Sequence, residues 1–313
     1  MGMDNAICLD IGGTFIKYAL VDKHGNIHGL NRERTSKGGQ ESVLHQLFSI
    51  IDRLLACSDG ENIIGIGISS AGQVSYEKGT VLSATDNIPG WAGTKVKEIL
   101  ENRYRIKCHV DNDVKCAALG EMYFGNGSNF TNFLCLAIGT GIGGAVVSEG
   151  RLLRGADGIA GEVGHMVIKA GGRKCNCGNR GCFEQYASVT GLKRTVSEEL
   201  GKDYLPEDTG VEWLFDRYPL DRKLQIIIDQ YVEYIADGIT SLVNVLNPNA
   251  IVIGGAVSES RFLMDKVIGN VNSKVMPVYS KNLKVLPALA GNSAALLGIS
   301  TYIFKNNHKE VEN

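Results

Sequence analysis

The 313-residue sequence has almost no net charge and lacks any apolar run long enough to cross a membrane. A formal charge of −2 and a pI near 6.3 provide no basic surface for nucleic acid or for an anionic membrane. Neither is expected as a partner. Asp4 and Asp10 stand where a secretory signal would have its apolar core, so the protein is expected in the cytoplasm.

A disulfide framework is not expected either. Five of the eight cysteines are scattered through apolar segments and are predicted to be reduced core residues; these are Cys8, Cys57, Cys108, Cys116 and Cys135. A composition of 44% hydrophobic residues with 39 glycines fits a globular α/β enzyme, and the length allows two domains.

The other three cysteines lie in one glycine-rich stretch, residues 161–184, which we call the cysteine segment. Cys175, Cys177 and Cys182 supply three thiolates and His165 an imidazole, the ligand set of a closed, structural zinc site. A disulfide or unrelated buried thiols are the alternatives. A reducing cytoplasm disfavours the first, and charged neighbours disfavour apolar burial.

Two glutamates, Glu162 and Glu184, lie at the ends of the cysteine segment. A metal bound in the segment would fix the two carboxylates relative to each other and make the segment a scaffold for polar recognition. Either glutamate taken alone would more simply be a solvated surface residue.

An apolar strand followed by a glycine turn recurs at residues 6–13, 63–72, 133–144 and 250–255. Ligands of α/β folds bind at the carboxyl ends of strands, so these turns are expected to converge on one cleft. The first and third turns are polar and rich in glycine, which is typical of phosphate binding. A nucleotide held between two lobes is therefore predicted. In the first turn, Asp10 could hold Mg²⁺, and Lys17 could reach a phosphate or point to solvent.

Asp111, Asn112 and Asp113 precede a helix that is predicted to begin near residue 114. A helix needs only one N-cap residue, so at least one of the three side chains is available for binding or catalysis. A carboxylate at a helix N-terminus stays ionised and can act as a base near neutrality. Further helices are predicted over residues 41–55, 224–246 and 292–304.

These motifs resemble those of the ROK family of bacterial sugar kinases and related repressors, over nearly the whole chain. DIGGT at residues 10–14 resembles the first phosphate loop of the family, GTGIGG at 139–144 the second, and IVIGGAVSE at 251–259 the adenosine segment. The most specific part is Glu162-x-Gly-His165 followed by CxCGxxGCxE ending at Glu184, which resembles the sugar and zinc signature of the family.

The resemblance implies an α/β, two-lobed, actin/hexokinase-like (ribonuclease H-like) ATPase fold with a structural zinc knuckle. The expected smaller lobe comprises residues 1–112 joined by a C-terminal helix, 298–313, and the larger lobe comprises residues 113–297. Four positions, Phe15, Ala71, Ala145 and Ala256, depart from the residues that are common in the family. None of these departures removes a catalytic group.

The same resemblance implies roles for individual residues. Asp113 is the expected catalytic base. The residues expected to bind the sugar are Gly72, Asn87, Asn112, Asp113, Glu162, His165 and Glu184. The residues expected to bind the nucleotide are Asp10, Gly12, Gly13, Thr14, Lys17, Gly139, Thr140, Gly141, Gly254 and Gly255. The expected zinc ligands are His165, Cys175, Cys177 and Cys182. From the residues alone, Asn87 more simply caps a turn.

The implied activity is ATP- and Mg²⁺-dependent phosphorylation of a hexose hydroxyl, expected at O6 of glucose or of an N-acetylhexosamine such as N-acetylmannosamine. A sugar-responsive regulator is the first alternative, although only nine residues precede Asp10 and these cannot form a helix-turn-helix. A non-catalytic sugar-binding protein would not need two phosphate loops, and an ATPase of the actin or chaperone class would not need glutamates braced by zinc. Family members are commonly dimers or tetramers, so a homo-oligomer is expected.

Overall fold

The computed structural model describes residues 4–58, 62–84, 88–206 and 209–311, with side chains as far as Lys305. The chain divides into two compact units. Unit 1 comprises Met1–Asn129, Leu152–Ala160 and Leu289–Asn313, and unit 2 comprises Phe130–Arg151 and Gly161–Ala288.

Strands and helices alternate along much of the chain. The strands are β1 Asp4–Ile11, β2 Phe15–Asp22, β3 Ile27–Arg34, β4 Asn62–Ser70, β5 Gln73–Ser75, β6 Thr80–Ser83, β7 Cys108–Asn112, β8 Phe133–Ile138, β9 Ile142–Ser148, β10 Arg151–Leu152, β11 Ala250–Gly254 and β12 Lys284–Pro287. The α-helices are α1 Gly39–Cys57, α2 Val96–Tyr104, α3 Asp113–Phe124, α4 Glu184–Ala187, α5 Val189–Leu200, α6 Glu212–Arg217, α7 Arg222–Leu246, α8 Ala256–Glu259, α9 Arg261–Lys274, α10 Pro277–Ser280 and α11 Ala294–Val311.

Unit 1 is built on a five-stranded sheet of order β3-β2-β1-β4-β7. β1 pairs antiparallel with β2 and parallel with β4, and β4 pairs parallel with β7. β1 is buried on both faces: Ile7 and Leu9 belong to one apolar cluster, whereas Ala6 and Cys8 belong to another with residues of α11. A strand covered on both faces needs a continuous apolar run, which is why β1 could be predicted.

Unit 2 repeats this plan in a sheet of order β10-β9-β8-β11-β12. β8 pairs antiparallel with β9 and parallel with β11, and β11 pairs parallel with β12. Both sheets therefore have antiparallel strands on one side and parallel strands on the other. The recurrent strand-and-turn pattern of the sequence corresponds to this repetition.

The longest helix, α7, supplies much of the apolar core of unit 2. The Asp221 carboxylate caps it by accepting hydrogen bonds from the backbone N–H groups of Lys223 and Leu224, at 2.9 and 3.2 Å. Gly238 lies against the ring of Phe183, where any side chain would overlap the ring. The contact fixes the residue that precedes Glu184 against the core.

Three expectations differ from the structure. The sequence before Asp111 also predicts a strand over residues 105–110, but β7 begins at Cys108, because Arg105 takes a left-handed conformation with φ 57° and ends α2. β3 was not predicted because most of this edge strand is exposed, so it shows no apolar alternation. Cys57, expected in the core, is exposed at the last residue of α1. Within the described part of the chain, no helix is both long and apolar enough to span a membrane.

Two glycines allow a close approach between α3 and α11 in unit 1. A Cβ on Gly120 would overlap the carbonyl oxygen of Ala294, and a Cβ on Gly298 would overlap that of Cys116. Unit 1 includes residues 113–129, 152–160 and 289–297, all of which the lobe boundaries expected from the sequence placed in the larger lobe.

Replacing Gly298 by alanine is expected to destabilise the protein by about 3 kcal/mol, the upper end of the usual range for overpacking, because the added methyl group meets backbone that cannot move aside. The matched control is Gly269→Ala in α9, where a Cβ meets nothing within 4 Å. That change is expected to stabilise by roughly 0.5–1 kcal/mol through helix propensity. Denaturant unfolding of the three proteins measures both effects. Equal stability of Gly298→Ala and the parent would contradict the close helix contact.

Candidate functional site

In unit 1, the residues predicted to bind substrates or to catalyse the reaction lie at the carboxyl ends of parallel strands. The pairing aligns Asp10 of β1 with Ser69 of β4, and Ser69 with Asp111 of β7. The turn after β1, the loop after β4 and the start of α3 therefore lie at the same edge of the sheet. The Ser69 hydroxyl donates a 2.6 Å hydrogen bond to Asp10 Oδ1. Burial raises the pKa of Asp10, against the lowering effects of Ser69 and Lys17.

The glycine turn after β1 is held from outside by Thr35. Its hydroxyl donates to the carbonyl oxygen of Gly12 at 2.7 Å, and its N–H donates to that of Thr14 at 2.9 Å. The N–H of Gly12 donates to Phe15 O at 3.0 Å, which closes the turn. Gly13 and Thr14 are exposed at its tip. The turn is thus fixed in shape while its tip stays accessible.

Lys17 lies on β2 directly opposite Asp10. Its ammonium group donates to the backbone oxygen and to Oδ1 of Asn292, at 3.2 and 3.3 Å. The sequence had left open whether Lys17 points to a phosphate or to solvent. The structure anchors it to a partner 275 residues away that the sequence did not suggest.

The start of α3 orders Asp113. Asn112 is the N-cap, and its Oδ1 accepts from the N–H groups of Val114 and Lys115 at 3.1 Å. The Nδ2 of Asn112 donates to Gly72 O at 2.9 Å and to Asp113 Oδ1 at 2.8 Å. Both amide hydrogens are therefore engaged within the protein. In this arrangement Asn112 orients the Asp113 carboxylate and ties it to the Gly72 loop.

Gly72 itself needs to be glycine. Its φ is +97°, and a Cβ would overlap the carbonyl oxygen of Ser83. Asn87, the other predicted residue of these loops, lies outside the described residues.

Asp111, the remaining member of the acidic trio, is fully buried and has a structural partner. Arg154 binds its carboxylate in a bidentate manner, with N–O distances of 3.0 and 2.7 Å. The hydroxyl of Tyr302 donates to Asp111 Oδ2 at 2.8 Å, and burial together with Asp111 raises the pKa of Tyr302. Arg154 and Tyr302 are 43 and 191 residues away from Asp111, and no motif in the sequence indicated either contact.

In unit 2, two glycine turns lie at the carboxyl ends of the parallel neighbours β8 and β11. The N–H of Gly139 donates to Gly141 O at 3.0 Å, and the N–H of Val189 donates to Gly139 O at 2.8 Å. Thr140, between Gly139 and Gly141, is exposed. Gly255 follows Gly254 with φ +80°, and a Cβ on it would lie 2.5 Å from the carbonyl oxygen of Ile138. The two predicted nucleotide turns of this unit are therefore adjacent.

The four predicted metal ligands come together in the cysteine segment. One donor atom from each of His165, Cys175, Cys177 and Cys182 lies within 4.8 Å of the others. The sulfurs of Cys177 and Cys182 are 3.6 Å apart, and Cys175 Sγ is 3.7 Å from His165 Nδ1. Atoms about 2.0–2.3 Å from a tetrahedral zinc ion are separated by roughly 3.3–3.8 Å, so these two separations fit such an ion.

The three thiols differ in their environments. Burial raises the pKa of Cys175 to about 12 and also raises that of Cys182. A hydrogen bond from the backbone N–H of Asn179 lowers the pKa of Cys177. The exposed Cys177 is the thiol that loses its proton most easily in the absence of a metal.

Glu184 lies beside this cluster, whereas Glu162 does not contact it in any described interaction. Oε1 of Glu184 is 3.3 Å from Cys175 Sγ and 3.8 Å from His165 Nδ1, and the side chain is 15% exposed. Its Oε2 lies close to Gly141, where a Cβ would approach it to 3.0 Å. Glu162 is exposed and precedes the short 3-10 helix Val163–His165. The solvated-surface interpretation thus fits Glu162 and is wrong for Glu184.

The two sheets and their turns define an actin/hexokinase-like α/β fold, as expected from the sequence. Residues 6–306 match the ROK family, and the chain belongs to it.

Its relatives include kinases and regulators. It is 32% identical over 309 residues to a glucokinase of Thermotoga maritima, with 95% of this chain and 96% of that protein aligned. A crystal structure of a ROK family glucokinase from Streptomyces griseus in complex with glucose and AMPPNP is 27% identical, with a TM-score of 0.82 over 95% of this chain and 98% of that one. A xylose repressor of Bacillus spizizenii is 28% identical over 306 residues, which cover 96% of this chain and 77% of the repressor.

Replacing Arg154 by methionine is expected to destabilise the protein by about 3–5 kcal/mol, because Asp111 would remain buried without its cation. Arg151→Met, which changes an exposed arginine three residues away, is the control and is expected to alter stability by less than about 0.5 kcal/mol. Thermal and denaturant unfolding compare the two variants. Equal stabilities would show that the Arg154–Asp111 pair does not hold the start of α3.

Proposed function

We propose that this protein is an ATP-dependent sugar kinase that transfers the γ-phosphate to a hexose hydroxyl. The observation that carries the proposal is the shared sheet edge in unit 1, where the glycine turn after Asp10 and the Asp113 carboxylate occur together. Membership of the ROK family and similarity to proteins named glucokinase support it.

Asp113 is proposed as the general base. Its Oδ1 is held by the Asn112 amide and by the N–H of Val114, both at 2.8 Å, so the carboxylate has a defined orientation. In the proposed reaction Asp113 takes the proton from the sugar hydroxyl as that oxygen attacks the γ-phosphorus and ADP leaves. Asn112 contributes by orienting Asp113, since both of its amide hydrogens are already engaged.

The nucleotide is proposed to bind at the glycine turns. In unit 1, the tip of the turn, Gly13 and Thr14, would contact phosphate oxygens through backbone N–H and hydroxyl groups. Asp10 would hold Mg²⁺ directly or through water, and Lys17, held by Asn292, would face the phosphates. When bound, Mg²⁺ neutralises charge on the transferring phosphoryl group. In unit 2, the proposed nucleotide residues are Gly139, Thr140, Gly141, Gly254 and Gly255.

A structural zinc ion is proposed in the cysteine segment, with His165, Cys175, Cys177 and Cys182 as its ligands. The donor set and the separations of 3.6 and 3.7 Å support this choice. His165 would bind through Nδ1, the nitrogen that faces Cys175. Its other ring nitrogen would then be available to the sugar.

In unit 2, the residues proposed to bind sugar hydroxyls are Glu162, His165 and Glu184. In unit 1, the Gly72 loop is the proposed sugar-binding loop. An O6 hydroxyl of glucose or of an N-acetylhexosamine such as N-acetylmannosamine is the proposed acceptor. A cytoplasmic location and a homo-oligomeric state are further parts of this proposal.

A sugar-responsive regulator is the second candidate, favoured by the similarity to xylose repressors. Regulation requires the sugar to bind, but it does not require a base beside a phosphate loop. The two functions therefore predict different effects of changing Asp113.

ADP release should be measured with Mg·ATP over a panel of glucose, N-acetylmannosamine, N-acetylglucosamine, mannose, fructose and a β-glucoside. One or more of these sugars is expected to stimulate release. Asp113→Asn should lower that rate by at least about 10²–10⁴-fold, because the amide has the same shape but cannot accept the proton. Asp216→Asn, the same change at an exposed aspartate of α6, is the control and should retain full activity.

Two outcomes would oppose this function. Undiminished turnover of Asp113→Asn would show that Asp113 is not the general base. Tight sugar binding by the parent protein without sugar-dependent ADP release would favour the regulator.

Zinc content should be about one ion per chain, and Cys177→Ser is expected to lose it and to bind sugar more weakly. Cys57→Ser is the matched control, since Cys57 is also exposed but lies outside the cluster. Metal analysis of the purified proteins measures the content directly. Full zinc occupancy in Cys177→Ser would contradict the proposed ligand set.

A further inference from the structure

Arg173 lies two residues before the first cysteine of the cluster and is largely buried, with 14% of its side chain exposed. The sequence analysis used the charged neighbours of the cysteines only as an argument against apolar burial of the thiols. A buried arginine needs partners for its five N–H donors. In Arg173 these partners all belong to the chain that follows the cysteine cluster.

The guanidinium group holds two backbone carbonyls and two side chains. Nη1 donates to Gln185 O at 2.8 Å and to Gly191 O at 3.3 Å. Nη2 donates to Thr195 Oγ1 at 2.9 Å and to Glu198 Oε2 at 2.6 Å. Arg173 thereby connects the one-turn helix α4, which begins with Glu184, to the longer helix α5.

The backbone of Arg173 makes further contacts on both sides of Glu184. Its N–H donates to the hydroxyl of Tyr186 at 2.6 Å, and its guanidinium lies 5.0 Å from the centroid of the same ring. Its carbonyl oxygen accepts from the N–H of Gly181 at 2.8 Å. Residues before and after Glu184 are therefore fixed to Arg173.

The backbones of α4 and α5 approach closely at their junction, so one guanidinium nitrogen can donate hydrogen bonds to both helices. A Cβ on Gly191 would lie 2.9 Å from Gln185 O, and only glycine permits this approach. The close approach brings the Gln185 and Gly191 carbonyls within reach of the same nitrogen of Arg173. None of these contacts of Arg173 involves a residue of the Cys/His cluster, and the Nε2 of Gln185 lies 3.7 Å from Cys175 Sγ.

We propose that Arg173 is a positioning residue for Glu184 that acts through α4. The inference rests on the proposed function, in which Glu184 holds a sugar hydroxyl. Glu184 contacts the cluster through its carboxylate, while the Arg173 guanidinium holds the carbonyl oxygen of Gln185 and the Arg173 backbone N–H donates to the Tyr186 hydroxyl. Two separate attachments therefore determine where this carboxylate lies.

Loss of Arg173 should weaken sugar binding more than it slows transfer, because Glu184 orients the acceptor and Asp113 removes the proton. Arg173→Met is expected to raise the KM for the sugar about tenfold, with kcat changed less than about threefold. The KM for ATP and the zinc content should not change.

Arg194→Met is the matched control. Arg194 donates to the other oxygen of Glu198 at 2.8 Å but makes no described contact with α4. Its loss is expected to leave the sugar KM unchanged. An unchanged sugar KM in Arg173→Met would overturn the inference, and so would an equal rise in Arg194→Met.

Arg173→Lys keeps the charge beside Glu198 but cannot hold both carbonyls with a planar fork. We expect it to raise the sugar KM about threefold, between the parent and the methionine variant. This variant decides the question if Arg173→Met does not fold. A sugar KM equal to that of the parent would show that the fork is not needed.

Hydrogen exchange separates this inference from the proposed function. In the zinc-loaded protein, amides of residues 185–188 are expected to exchange at least about tenfold faster in Arg173→Met than in the parent or in Arg194→Met. Unchanged exchange would overturn the positioning role whatever reaction the protein performs. A parent protein that releases no ADP with any sugar would refute the kinase function alone.

Discussion

Parallel strand pairing determines where the predicted catalytic groups of unit 1 lie. Because β1, β4 and β7 run in the same direction and in fixed register, Asp10, Ser69 and Asp111 form one row across the sheet. The glycine turn, the Gly72 loop and the start of α3 follow this row directly. Polar contacts then hold the end of β7 and the start of α3 in place. The most important are the bidentate Arg154–Asp111 pair and the Asn112 cap. The backbone hydrogen bonds of the sheet determine where these loops begin, and the side-chain contacts determine how the predicted catalytic groups are oriented.

The cysteine segment of unit 2 has a different basis for its order. Apart from the short helix Val163–His165 and two isolated bridges, its described residues 161–183 lack regular secondary structure, and many of them are exposed. Such a segment has little apolar surface to bury. Close backbone packing at Gly164 and Gly181, the Arg173 contacts and the Cys/His cluster replace a core. Glu184 lies where these three kinds of contact meet.

The sequence predicted what depends on local pattern. Strands buried on both faces appear as apolar runs, and the polar residues at 111–113 predicted a helix cap, which is Asn112. Contacts between distant residues were not predictable. The partners of Lys17, Asp111 and Gln185 are Asn292, Arg154 and Arg173, and nothing in the local sequence of either member marks the pair. Arginine and lysine are usually exposed, so a single sequence gives no reason to bury them. The exposed edge strand β3 was missed for the related reason that its pattern is polar.

The central claim is that phosphate passes from ATP to a sugar and not to water. ³¹P NMR of the protein with Mg·ATP and the sugars that stimulate ADP release tests this directly, because a sugar phosphate ester and inorganic phosphate give separate signals. The account predicts a phosphomonoester signal that grows in step with ADP. Growth of inorganic phosphate alone would contradict it and would indicate an ATPase.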